Sequence, residues 1–158
     1  MSDLAQALMV AIRVHADQRD KQGEPYLLHV LRVVEAVTYD TRVVAALHDV
    51  LEDGTPSVEH LRPVGLSEDE WIALEALTRK PDRWSYREYI DQIAGHAGSG
   101  GDIAREVKLA DLRDNLGRIP GPDLLLSFAP VERDAVAAKW ASLKARYEKA
   151  IDTLERVA

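Results

Sequence analysis

Residues 45–53 read AALHDVLED, and the reading of this stretch decides the fold. Val43, Val44, Ala46 and Leu47 build an apolar run around a histidine, His48, and the carboxylates Asp49, Glu52 and Asp53 follow within five positions. A helix with so continuous an apolar face belongs in the interior. A surface helix could carry such charges without purpose. An ionised Asp49 on a buried helix is costly unless a partner compensates it.

Helical periodicity extends outward on both sides. In LAQALMVAIRVHADQ, residues 4–18, Leu4, Leu8, Ile12 and His15 recur at three- to four-residue spacing and predict an amphipathic helix with His15 at the end of its apolar stripe. Gly23 and Pro25 then interrupt it in DKQGEPY. LLHVLRVVEAVT, residues 27–38, predicts a second helix with His29 near its start, and a third runs from about Thr41 through Glu52, stopped by Gly54 and Pro56. Ser67 with an acidic first turn opens a helix reaching Thr78. SYREYIDQIAGH, residues 85–96, predicts another. AGSGG, residues 97–101, reads as a loop, Asp102 as the cap of a helix through Arg118, and PGPDLL as a turn. A long helix closes the chain from about Pro130 to Val157. Nothing alternates at period two. The expectation is one all-α domain, residues 1–158, of six or more helices.

Composition narrows the function. Among 158 residues, 46% are hydrophobic and 30% charged, as in a folded domain. A net charge of −7 argues against a nucleic-acid polymer or a membrane surface as partner, though a metal ion can reverse the sign locally for a small anionic substrate. With no cysteine, any metal must be held by histidine nitrogen and carboxylate oxygen. No basic leader precedes the first apolar residues and no run is long enough to span a bilayer, so a cytoplasmic protein is expected.

Adjacent residues on a helix diverge by about 100°, yet His48 and Asp49 can both reach one ion lying against that side. An imidazole and a carboxylate form a usable ligand pair. His29, early on the preceding helix, can face them. Asp111, an isolated acid in VKLADLRDN, can complete a set of two histidines and two aspartates with positions left open for water or substrate. Lys108, Asp111 and Asn115, three and four residues apart, project from one face and offer a cation, a ligand and an amide.

In order along the chain, HADQ, DKQGEPYLLH, ALHDVLED, ALTRK and VKLADLRDN resemble the His-Asp phosphohydrolase superfamily, and among its members the hydrolase domain of RelA/SpoT enzymes and the stand-alone small alarmone hydrolases. The resemblance covers roughly residues 10 to 118. It implies His29, His48, Asp49 and Asp111 as ligands of a divalent metal, Mn²⁺ first. It also implies Glu52 and Asp53 as the acids that position or deprotonate the attacking water, and Lys21 and Asn115 as substrate contacts, with Lys108 beside them. The implied activity is hydrolysis of a nucleotide, with a (p)ppGpp 3′-pyrophosphohydrolase foremost. Another nucleotidase or phosphoesterase is the alternative, and a non-catalytic ligand-sensing module a third. Two positions depart from the pattern: Asp20 stands where those enzymes carry a basic residue, and DLRDN replaces Asp-Arg-Leu-His-Asn. Both bear on the substrate rather than on the metal.

Remaining candidates are weaker. His15 is equally well a satisfied core histidine. His60, His96 and AGSGG fall in surface segments. Arg79, Lys80, Arg83 and Tyr86 read either as a pocket rim where a phosphate or base could meet them or, equally well, as a solvated helix start. The last helix, with Trp140 and Tyr147 among alanines, is read as core or subunit packing, which allows a homo-oligomer.

Overall fold

The structure, a computed structural model, describes residues 2–20, 22–53 and 58–157, and at 53, 58 and 59 the backbone alone. Lys21 lies outside the described residues, as does the side chain of Asp53.

The chain is all-α: α1 Leu4–His15, α2 Tyr26–Ala36, α3 Arg42–Leu47, α4 Val50–Asp53, α5 Val58–Leu61, α6 Glu68–Leu77, α7 Tyr86–Gly95, α8 Gly98–Gly117, α9 Pro122–Leu125 and α10 Pro130–Glu155. Short 3₁₀ turns at Tyr39–Thr41 and Arg62–Val64 join some of them, and among the described residues only an isolated bridge between Arg19 and Pro25 has β character. Helix α8 is the axis. It packs against α6 on one side and α10 on another, and meets α2, while α3 lies against α1 and α2. As AALHDVLED implies, α3 is the most deeply buried: Val43 through Leu47 are all buried, with Ala45 and Leu47 fully enclosed.

Local chemistry explains most boundaries. Asp3 caps α1 by accepting from the Ala5 and Gln6 amides. Ser67 and Ser85 each form a capping box with the glutamate three positions on, Glu70 and Glu88, satisfying donors at both helix starts.

Three expectations need correction. The helix predicted from Thr41 through Glu52 is broken at His48–Asp49, giving α3 and α4. The Ala45 carbonyl, which would accept from the Asp49 amide in an unbroken helix, is met by His48 Nδ1 at 2.8 Å, and the Glu52 amide bonds the Asp49 carbonyl in a tighter three-residue turn. Next, AGSGG is not a loop: α8 begins at Gly98, one turn before Asp102. Its glycines buy closeness of packing, since a Cβ on Gly100 would lie 2.6 Å from Ile72 of α6 and one on Gly101 only 2.1 Å from the His96 carbonyl. Asp102 pairs with Arg105 instead of capping, and Arg105 donates to the carbonyl of His96 at 2.6 Å, closing the end of α7. Finally, PGPDLL contains a one-turn helix, α9.

Candidate metal centre

Helices α2, the α3–α4 break and α8 meet around a group of buried imidazoles and carboxylates. One donor atom each from His29, His48 and Asp49 falls within 4.8 Å of the others. His48 Nε2 is 2.9 Å and His29 Nε2 3.9 Å from Asp49 Oδ2. Asp111 Oδ1 stands 3.3 Å from His29 Nε2, so the fourth expected ligand lies against the group, though outside the cluster of three.

Each histidine is held by its other nitrogen. His48 Nδ1 donates to the Ala45 carbonyl. His29 Nδ1 donates to Asp114 Oδ2 at 2.7 Å, and Asp114 is fixed in turn by Arg32, whose Nε lies 2.6 Å from Oδ1. Donation through Nδ1 leaves the Nε2 lone pair of each neutral imidazole facing the group, the arrangement by which metal-binding histidines are oriented. His48 Nε2 is buried and, despite its closeness to Asp49, has no hydrogen-bond partner: the two atoms lack the alignment for one, and their attraction is that of charges. A buried nitrogen of this kind calls for a proton or a cation. The donor set fits a divalent metal.

Electrostatics agree. Burial alone would lower the His48 pKa, but the adjacent Asp49 carboxylate overrides it and pushes it up to about 9. Burial likewise opposes ionisation of Asp49, yet His48 holds it down at about 2. Asp111 is kept far below the carboxylate range, against its burial, by Lys108, His29 and His48. Lys108 Nζ sits 2.7 Å from Asp111 Oδ2, and the Asn115 amide donates to the Asp111 carbonyl at 3.0 Å and to Oδ1. Lys108, Asp111 and Asn115 do share one face of α8, and both neighbours serve Asp111.

Sequence reading missed Tyr26 and Asp114. Tyr26 donates its hydroxyl to Asp49 Oδ2, and its ring lies 5.2 Å from that of His29 and 5.0 Å from that of His15. Its position three residues before His29, on the same helical face, was the available signal. His15 itself is fully enclosed, with Nδ1 2.7 Å from Gln18 Oε1. Glu52 is exposed one turn beyond Asp49, where it accepts from the Arg79 amide. His60 and His96 are exposed, on α5 and at the end of α7.

Asp20 has a structural task. Its carboxylate accepts from the Gln22 and Glu24 amides at 2.8 and 3.0 Å and pairs with Arg118 at 2.6 Å. Gly23, with φ of 83°, makes the turn this loop requires. Arg118 also bonds Gln22 and Glu24, fastening the α1–α2 loop to the end of α8.

A solved structure of a metazoan ortholog of SpoT, described as hydrolysing ppGpp and playing a role in starvation responses, matches 97% of this chain and 93% of its own, at 25% identity and a TM-score of 0.60. In fold, the chain is similar to a SpoT ortholog. No protein-family model and no curated protein sequence matches it. The likeness to the SpoT ortholog covers nearly the whole chain. It agrees with the His-Asp resemblance carried by the sequence motifs. No helix among the described residues is long and apolar enough to cross a membrane.

Proposed function

We propose that this protein is a metal-dependent phosphohydrolase of a nucleotide, with (p)ppGpp-type 3′-pyrophosphohydrolysis its activity. The observation that carries this is the convergence of His29, His48 and Asp49 with both imidazoles tied off at Nδ1, in a chain that shares the fold of a ppGpp-hydrolysing SpoT ortholog.

His29, His48, Asp49 and Asp111 would hold the ion, with Mn²⁺ suited to this nitrogen and oxygen set. When bound, a divalent ion lowers the pKa of a water and offsets charge on phosphoryl oxygens. The chain's residues do the rest. Asp114 and the Ala45 carbonyl fix the two imidazoles, and Tyr26 fixes Asp49. Lys108 and Asn115 hold the Asp111 carboxylate ionised and oriented. Glu52, oriented by the Arg79 amide, takes the proton of the attacking water, and Asp53 supports it.

A second reading, a nucleotidase or phosphoesterase of different substrate, is favoured by Asp20, which brings an acid to the loop where the resemblance implies a cation. Anion-exchange product analysis with Mn²⁺ and a panel of nucleotides including ppGpp, alongside Asp49→Ala, separates the two. GDP and pyrophosphate from ppGpp, abolished in the variant, support the first. Turnover confined to another phosphoester supports the second.

A further inference from the structure

Tyr86 opens α7 with two guanidinium groups over its ring: Arg146 of α10 at 4.7 Å from the ring centre and Arg79, just beyond α6, at 5.6 Å. Arg32, Arg105, Arg113, Arg118 and Arg156 each pair with a carboxylate. Among the described residues neither Arg79 nor Arg146 does, and Arg79 Nε is buried without a hydrogen-bond partner. An aromatic face compensates a cation only weakly, and two like charges gathered on one ring repel. In a chain of net charge −7, this is a local reversal of sign.

Position gives the pair its meaning. The main-chain N–H of Arg79 is bonded to Glu52, one turn past Asp49. Tyr86 lies 6.3 Å from Tyr89, whose ring carries Lys108 Nζ at 5.3 Å, and Lys108 pairs with Asp111. The arginines are thus linked to the metal group through Tyr86, Tyr89 and Lys108, and through the Arg79 main chain to Glu52. Lys108 is spent on Asp111, and the α1–α2 loop turns Asp20 to Arg118. Arg79 and Arg146 are two described cations without a carboxylate partner, gathered at one place, and a guanidinium fork matches phosphate oxygens.

We propose that Arg79 and Arg146, gathered on Tyr86, form a second oxyanion site that receives the phosphate or diphosphate group of the nucleotide that is not hydrolysed. The site selects substrates phosphorylated at two positions over monophosphates. It rests on the reading of the metal centre as a nucleotide phosphohydrolase.

Titration calorimetry with inorganic pyrophosphate, in chelator so that metal plays no part, tests the site without turnover. Wild-type protein binds, Arg79→Ala and Arg146→Ala lose at least about tenfold in affinity as expected for a charge-assisted contact, and Arg87→Ala, a surface change on α7 beside Tyr86, binds unaltered. Arg146 is exposed, so its variant keeps the test sound if Arg79→Ala fails to fold. With ppGpp, KM rises in both variants while kcat holds. Absent pyrophosphate binding, or binding indifferent to both arginines, overturns the site. Turnover of ppGpp with unchanged KM in the variants also overturns it while sparing the phosphohydrolase reading. Arginine-dependent pyrophosphate binding without turnover of any nucleotide keeps the site and rejects that reading.

Discussion

His29 Nδ1 and Asp114 Oδ2 lie 2.7 Å apart across 85 residues of sequence, and Arg32 clamps the same carboxylate through Nε. The hydrogen bond fixes which nitrogen of His29 carries its proton and turns Nε2 toward Asp49 and Asp111. Asp114 would act on a bound metal through His29, without touching the ion.

Replacing that carboxylate loosens the imidazole. Asp114→Asn keeps the size but removes the charge, and metal affinity is expected to fall roughly 10- to 100-fold, the usual cost of losing such a partner. Competition against a fluorescent chelator measures it. An unchanged affinity would mean the α2–α8 packing alone orients His29.

Lys108 neutralises a carboxylate in the interior. Their side chains are 13% and 6% exposed, so Lys108→Ala leaves a buried, unpaired Asp111 and should cost about 3–5 kcal/mol in metal-free protein. Lys144→Ala, which breaks a pair whose partners are 61% and 53% exposed at 3.8 Å, should cost less than about 1 kcal/mol. Chemical denaturation compares the two directly. Equal losses would show that Lys108 is not the counter-ion.

Stability of the metal-free protein should depend on pH through the His48–Asp49 pair. His48 is raised from 6.5 to about 9, so its stabilisation is whole below pH 6.5 and is lost as pH rises toward 9. Asp49 is lowered from 3.8 to about 2, so its stabilisation is whole above pH 3.8 and is lost as pH falls toward 2. These are one interaction seen from both partners. Thermal melts in chelator should peak between those limits and decline on the alkaline side, and Asp49→Asn should flatten that decline. Because metal needs the imidazole deprotonated, apparent affinity for Mn²⁺ should rise across the same alkaline range.

The glycine-rich start of α8 offers a test of the fold. Gly101→Ala drives a Cβ into the His96 backbone and should cost about 1–3 kcal/mol. Gly117→Ala, at the far end of the helix with open space around it, should be neutral or stabilising by up to about 1 kcal/mol. Melting curves of both variants decide it.

What the sequence disclosed follows from the range over which each signal acts. Ser67 announced its helix because a capping box is complete within four residues, whereas the equal box at Ser85 emerged only with the structure. His48 and Asp49 stood out because a charged pair behind an apolar run is itself local. Asp114 was invisible: its partner lies on another helix, and nothing in DLRDN distinguishes it from a surface acid. The break after Leu47 carries no glycine or proline, since a side chain meeting the Ala45 carbonyl causes it. AGSGG misled for the opposite reason. Its propensity favours a loop, and the tight approach to α6 and to the end of α7 outweighs that preference.

The central claim is that His29, His48, Asp49 and Asp111 hold one divalent ion. Titrating Mn²⁺ against the protein while following the free-ion signal by electron paramagnetic resonance tests it most directly. One equivalent should bind per chain, and Asp49→Ala, still helical by circular dichroism, should bind none. A folded wild-type chain that leaves the free Mn²⁺ signal undiminished would contradict the account.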